Sequence, residues 1–384
     1  MSKGLSMKAL KDILYRVLTT RVAWPILITL ALLCSASLAA LALSSPESAD
    51  KQRVWILIGL GVILIALLPH FNILGRVAYA LYALALFLLI AVYFVPEVKY
   101  THRWFVLPGG TQLQPSELAK IAFVMALAWY LRFRKNLHTV QGLIVPFALT
   151  FVPFVLILRE PDLGTALLFP LVLYAMLLAA GARMRHLVVI ALIALAAGPG
   201  AYPFLRDYQQ GRIKSAVLMA FGLADAAHLT GDGLQQYRSE VAIGSGGGTG
   251  QERQADPSLR ADLVPEAHTD FIFSVIGAKW GFAGCLAILL IYLAFFAVVL
   301  EIASSTRDHF GRLLAVGLAS MILFQATINM CMTIGLAPVV GIALPFVSYG
   351  GSSLLASMLA TGILLNISVR RNTKSAASLS YVAG

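Results

Sequence analysis

Ten apolar stretches, each roughly 17–24 residues long, run through this chain, and they constrain its fold more than any other feature. They fall at residues 22–43, 54–71, 77–95, 115–131, 141–158, 163–181, 187–205, 277–300, 313–335 and 350–369. An α-helix needs about 20 apolar residues to cross a bilayer, with a range of about 17–25. A water-soluble core cannot hide this much apolar surface. Of the 384 residues, 59% are hydrophobic and 12% are charged, against about 25% charged in a soluble domain. The sequence therefore predicts an all-α integral membrane protein with about ten transmembrane helices. The fourth stretch is the weakest, because Glu117 and Lys120 interrupt it. Lys3, Lys8, Lys11, Arg16 and Arg21 before the first stretch resemble a signal-peptide start. That stretch is too long for a signal core, so it is read as an uncleaved first helix. No internal repeat or low-complexity linker divides the chain, which is read as one membrane domain over 1–384, embedded over 22–369.

The net charge of +11 could suggest nucleic acid, but the basic residues form no stripe interleaved with aromatics. They sit at the ends of the apolar stretches, where charge sets orientation. With the N-terminus inside, sixteen basic residues are cytoplasmic: five before residue 22, then Arg76, Arg132, Arg134, Lys135, Arg183, Arg185, Arg307, Arg312, Arg370, Arg371 and Lys374. The short outer loops hold five: Lys51, Arg53, Lys99, Arg103 and Arg159. Both termini are thus expected in the cytoplasm. The long loop over 206–270 is expected outside, with the stretches 96–116, 159–163 and 336–349. Cys34, Cys285 and Cys331 lie within apolar stretches without metal-ligand spacing and are read as packing residues.

Four outer-side clusters could carry chemistry. The first runs from Thr101-His102-Arg103-Trp104 to Gln114-Pro115-Ser116-Glu117-Leu118-Ala119-Lys120. Glu117 and Lys120 share a helix face; they form a structural ion pair, or Lys120 or Arg103 also holds an anionic ligand. The second is Arg159-Glu160-Pro161-Asp162-Leu163-Gly164-Thr165-Ala166, where Asp162 can cap the next helix. The third joins the glycine run 244–250 to Glu266-Ala267-His268-Thr269-Asp270-Phe271. Such a run can cradle a phosphate on backbone N–H groups or serve as a loop. Asp270 can be an N-cap, or a carboxylate partly desolvated at the membrane edge and hence a better base. His268, a lone histidine, is read as packing or hydrogen-bonding. The fourth, Ile334 to Pro338 and Leu344 to Ser353, suggests irregular backbone at membrane depth. It contains Ser348 and Ser352, and either lines a cavity or makes a tight turn.

Together these clusters resemble the SEDS family of bacterial cell-wall proteins (shape, elongation, division and sporulation). The resemblance rests chiefly on His268-Thr269-Asp270-Phe271, Pro161 to Ala166, and Leu344 to Ser353, in the family's order on a ten-helix frame. The wording of Val241 to Gly247 and Phe271 to Gly277 is closer to the rod-shape branch, RodA, than to the division branch, FtsW. The resemblance implies an inverting glycosyltransferase in the bacterial cytoplasmic (inner) membrane. It would polymerise lipid II, an undecaprenyl-pyrophosphate-linked disaccharide-pentapeptide, with a class B penicillin-binding transpeptidase and the elongation machinery as partners. Asp270 matches the family's essential aspartate and would be the general base. Arg103, Lys120, Arg159 and Arg238 are candidates to hold the leaving pyrophosphate, and Trp104, Glu117, Asp162, Ser348 and Ser352 to contact substrate. No protein metal site is expected, and dependence on a divalent cation (magnesium or manganese) is left open.

The chain departs from the family where Ala278-Lys279-Trp280 replace two usual acidic residues, with Glu301 a candidate to compensate, and over Gln251 to Val264. Two other readings compete. In a lipid-linked oligosaccharide flippase, Glu117, Lys120 and Lys279 would line a path for a polar head group. No inverted repeat or paired broken helix supports that path, and the unusual residues lie on one side. A non-catalytic scaffold for the transpeptidase is the other.

Overall fold

The computed structural model describes residues 7–96, 101–106, 111–134, 136–204, 207–220, 231–250 and 267–371. The protein is mostly helical. The helices are α1 (Met7–Thr19), α2 (Ala23–Ser44), α3 (Pro46–Leu67), α4 (Phe71–Ala91), α5 (Pro115–Leu131), α6 (Val140–Arg159) and α7 (Leu163–Ala179). They continue with α8 (Met184–Ala201), α9 (Asp207–Ala220), α10 (Asp232–Ser245), α11 (Ile272–Ser305), α12 (His309–Thr333) and α13 (Gly351–Arg370). Each of the ten apolar stretches coincides with a helix, α2 to α8 and α11 to α13. Six helices are long and apolar enough to cross a membrane by themselves: Ala23–Ser44, Phe71–Phe94, Val140–Arg159, Ile272–Ser305, His309–Thr333 and Gly351–Arg370. The chain is a multi-pass membrane protein.

Three features were not in the sequence reading. The segment expected as a long loop, 206–270, contains α9 and α10. Helix α3 begins eight residues before the apolar stretch, because Pro46 at its first turn favours helix while Glu47, Asp50, Lys51 and Arg53 depress hydropathy. A two-stranded antiparallel ribbon, β1 (Phe105–Val106) and β2 (Gln112–Leu113), precedes α5, pairing Phe105 with Leu113.

Helices α12 and α13 form the centre, whereas α4 and α11 carry exposed Phe87 and Leu290 on lipid-facing sides. At one end of the bundle, Asn366 Nδ2 donates to the carbonyls of Ala66 and Pro69, both at 2.7 Å. Arg370 donates to the carbonyls of Leu67, Leu68 and Pro69. The last turn of α13 thereby satisfies carbonyls that the end of α3 leaves without partners. Elsewhere Pro153, inside α6, cannot donate to the Leu149 carbonyl, and the Tyr82 hydroxyl from α4 donates to it at 2.6 Å. Such substitutions are obligatory where no water is available.

The stretch 334–350 has no regular secondary structure, yet Val339, Val340, Ile342, Leu344, Phe346 and Val347 are buried. Its carbonyls are met by side chains of the surrounding helices. Ser37 donates to Val347 O at 2.7 Å, Gln52 to Ser348 O at 3.1 Å, and Gln325 to Ala343 O at 3.0 Å. Tyr292 donates to Pro345 O, and Gln236 to Ala337 O at 3.0 Å. The four polar side chains from α2, α3, α10 and α12 are themselves buried. They are present because irregular backbone needs donors there.

Candidate functional site

A cavity of about 1190 Å³ opens among the ends of α3, α5, α7, α11 and α13 and the irregular stretch. It draws residues from all four sequence clusters: Arg103, Trp104, Glu117, Asp162, Asp270 and Ser352 all line it. The volume exceeds the roughly 300–1,000 Å³ of ordinary small-molecule pockets.

The first cluster enters through the β1–β2 ribbon and the start of α5. Gln114 precedes Pro115, whose fixed φ opens the helix. Glu117 and Lys120 then follow three apart and are both buried, with Nζ 3.0 Å from Oε1. Glu117 lines the cavity, whereas Lys120 lies behind it, donating also to Gln325 Oε1 at 2.7 Å. Arg103 donates through Nε to the Glu160 carbonyl at 2.7 Å and through Nη2 to the Pro161 carbonyl. It thus ties the first cluster to the second.

Asp162 has both carboxylate oxygens engaged. One accepts from Thr165 N at 3.1 Å and caps α7; the other accepts from Gln114 Nε2 at 2.9 Å. Glu160 is fully buried, and neither of its carboxyl oxygens has a hydrogen-bond partner among the described residues. Burial pushes its pKa up to about 9; the Asp162 charge adds to the rise and Arg103 opposes it.

Asp270 is half-buried in the turn that leads into α11, whose N-cap position is held by Phe271. Its Oδ2 would lie 3.4 Å from a Cβ placed on Gly341, so the carboxylate rests against that glycine. Gly341 has φ +68°, a conformation that disfavours any side chain. His268 also lines the cavity, its ring centroid 6.0 Å from that of Tyr349 and its carbonyl accepting from Tyr349 N at 2.9 Å.

The glycine run braces backbone against backbone. α11 breaks at Gly281, where φ is +65°, and the break frees the following N–H groups. Phe282 N donates to Gly247 O at 2.8 Å and Ala283 N to Gly248 O at 3.0 Å. A Cβ on Gly246 would stand 1.9 Å from Gly277 O, and one on Gly250 2.1 Å from Lys279 O. The run therefore offers carbonyls to α11, and it supports Asp270 only through the helix that follows it. Lys279 is exposed. Glu301 lies twenty residues beyond Gly281 on the same helix, about 30 Å away by helical rise, and cannot compensate it. The divergent stretch Gln251 to Val264 lies outside the described residues.

Some expected residues sit elsewhere. Ser348 is buried outside the lining, its hydroxyl accepting from Leu344 N at 2.8 Å to close a turn. Ser352 lines the cavity and also pins the ribbon, donating to Gln112 O at 2.8 Å. Arg159 and Arg238 are not among the lining residues; the basic ones are Lys51, Arg103 and Arg212. The sequence gives no role to Gln114 or Glu160 within their clusters, and none to Lys51, Arg212, or Gln325 and Asn329 on α12. The last two carry a visible signal, amides four apart within an apolar stretch.

Among the described residues no three acidic, histidine or cysteine side chains converge. Glu117 is taken by Lys120, and Asp162 by Thr165 and Gln114. A hard divalent cation would need several free oxygen ligands, and neither of these two carboxylates is unpartnered.

The family model for FtsW, RodA and SpoVE, described as cell cycle protein, matches residues 15–373. The chain belongs to this family. Family relatives include a probable peptidoglycan glycosyltransferase FtsW from Trichlorobacter lovleyi, 37% identical over 330 residues, covering 83% of this chain and 82% of the relative. The peptidoglycan glycosyltransferase MrdB of Helicobacter pylori (strain 26695) is 35% identical over 331 residues, covering 84% of each. The two identities are nearly equal, so they do not separate one branch of the family from another. Among solved structures, a peptidoglycan synthase complex that coordinates polymerization and crosslinking has a chain with TM-score 0.79 and 29% identity. That match covers 91% of this chain and 98% of the other. The rod shape determining protein RodA of Thermus thermophilus matches with TM-score 0.68 and 28% identity over 91% and 98%. The FtsW/RodA/SpoVE fold thus extends over nearly all of this chain.

Proposed function

We propose that this protein is a peptidoglycan glycosyltransferase that polymerises lipid II at the outer face of the bacterial cytoplasmic membrane. The observation that carries the reading is the single cavity in which Asp270 shares walls with Arg103, Glu117 and Asp162. Relatives named peptidoglycan glycosyltransferase support the activity. About ten membrane-crossing helices, with both termini in the cytoplasm, account for the basic-residue asymmetry. In that orientation the cavity opens on the outer side.

The reaction joins two lipid-linked sugars. A hydroxyl of one attacks the anomeric carbon of the other, its proton passing to Asp270 as the C–O bond to the lipid pyrophosphate breaks. An α-linked donor and β-linked product require one inversion and no covalent enzyme intermediate. Arg103, with Lys51 and Arg212, supplies positive charge where the pyrophosphate leaves. A class B penicillin-binding transpeptidase is the proposed partner, in keeping with the crosslinking complex above. A role in elongation and cell shape follows from the RodA-like wording of Val241 to Gly247 and Phe271 to Gly277.

Purified protein incubated with labelled lipid II tests the reading, since ladder-forming glycan polymer is the expected product. Asp270→Asn keeps the shape but cannot take a proton, and polymerisation should fall about 100- to 10,000-fold at equal folded protein. Leaflet transfer without polymer would indicate a flippase. A transpeptidase partner activated without either reaction would indicate a scaffold.

A further inference from the structure

Helix α12 is apolar along most of its length, yet it carries Gln325 and Asn329 four residues apart, both buried. Burying an amide at this depth is costly unless its donors meet partners; Asn329 Oδ1 has no hydrogen-bond partner among the described residues, so the side chain is held through its donors. Gln325 meets the buried ion pair, accepting from Lys120 Nζ, and donates onward to Ala343 O. Asn329 does something different. Its Nδ2 donates to two carbonyls on segments distant in sequence, Asp270 O at 2.8 Å and Ile342 O at 2.6 Å.

These two carbonyls belong to the two sides of one contact. Ile342 follows Gly341, the residue on which the Asp270 carboxylate rests. One amide group therefore fixes the backbone of the acid and the backbone of its seat at once. Neither segment has regular secondary structure to hold it: residues 267–270 form turns and 339–344 have none. The other fixed points of the seat are the first turn of α7, where a Cβ on Gly164 would stand 2.6 Å from Val340 O, and Gln325 on Ala343. Among these contacts, only the Asn329 amide reaches the Asp270 residue itself.

We infer that Asn329 is a positioning residue, which sets the Asp270 carboxylate against the Gly341 turn by bridging the Asp270 and Ile342 carbonyls. This rests on the reading of Asp270 as the general base. Asn329 does not line the cavity and touches no substrate; it acts through the acid. Misplacing a reacting group by about 1 Å can cost on the order of 100-fold in rate, and loss of the bridge permits movement on that scale.

The test compares wild type, Asn329→Asp, Asn329→Ala and Asp270→Asn as full chains in the labelled lipid II assay. Turnover is read per folded molecule, and folding by thermal midpoint. Asn329→Asp keeps the size but leaves at most one of the two donors; Asn329→Ala removes both without adding a buried carboxyl, should the first fail to fold. The expected result is a fall in kcat of about 10- to 100-fold with KM for lipid II within about threefold. A residue that only supports the fold would lower the folded yield and leave kcat per folded molecule intact, and that outcome overturns the inference. So does Asn329→Ala with kcat within about twofold of wild type, or a raised KM at unchanged kcat. If Asp270→Asn itself turns over normally, the base reading fails, and this inference falls with it.

Discussion

Glu160 gives the most quantitative prediction, because its surroundings make the fold pay for ionisation. Its carboxyl is fully buried without a hydrogen-bond partner among the described residues, and Asp162 lies close enough to repel a second negative charge. The folded-state pKa is pushed from 4.5 up to about 9. The sign follows directly. Below pH 4.5 both folded and unfolded chains hold the proton, and the site costs nothing; between 4.5 and about 9 only the folded chain holds it. Stability is therefore lost as pH rises through that window, at about 1.4 kcal/mol per pH unit. At pH 7 the loss is on the order of 3 kcal/mol relative to pH 4. Glu160→Gln keeps the shape and polarity but cannot ionise, so it carries whatever fixed cost the buried amide imposes at every pH. The assay is the thermal midpoint of both proteins in one detergent from pH 5 to pH 9. Across that range wild type loses about 5 kcal/mol relative to Glu160→Gln, so the midpoint of the variant should gain by about 6 °C on the usual per-residue scaling. Parallel curves would refute the argument and show that water or a cation reaches the carboxyl.

Three further outcomes are expected. Glu117→Gln and Lys120→Met each strand a buried partner at a cost of about 3–5 kcal/mol and should lower folded yield on size-exclusion chromatography; the double variant should recover it. Gly281→Ala puts a Cβ 2.4 Å from Gly250 N on a residue with φ +65°, and the folded yield should fall sharply, whereas Gly244→Ala, which meets nothing within 4 Å, should be tolerated. With the three native cysteines replaced by alanine, Lys214→Cys should react with an impermeant reagent on intact spheroplasts and Asn136→Cys should not; the reverse pattern would invert the proposed orientation.

The helices were legible in the sequence for a simple reason. A bilayer demands a run of apolar residues of fixed length, and each of the ten runs became a helix. Their boundaries shifted where that demand ends. Helix α3 extends N-terminally through Glu47 to Arg53, whose charges lie beyond the apolar run but cost nothing to helical backbone. Helices α9 and α10 leave no such mark, because neither carries an apolar run of spanning length. The break at Gly281 was equally hidden. The glycine run suggests a phosphate cradle or a loop; its partner is the backbone of α11, about thirty residues onward, and nothing local marks such a meeting.

The cavity was legible in part, and the division follows from what each residue does. Residues that face open space, such as Arg103, Trp104, Glu117 and Asp270, are polar at the edge of apolar stretches, so they stand out. Residues that hold the others are less conspicuous, since their partners are backbone carbonyls that leave no trace in side-chain chemistry. For the stretch that holds Ser348 the sequence allows a cavity lining or a tight turn, and the family resemblance adds a substrate contact; Ser348 closes a turn. Asn329 and Gln325 were passed over because an amide within an apolar stretch carries no charge to attract notice, although at that depth it needs partners nearly as strictly as an ion does. The irregular stretch explains why they are there. Its carbonyls at 342 and 343 lack backbone partners and must be satisfied, and a helix alongside can supply donors from side chains three or four apart, on one face. The amide pair on α12 therefore implies that unpaired backbone crosses that helix, and in this chain the backbone it meets belongs to Asp270 and its seat.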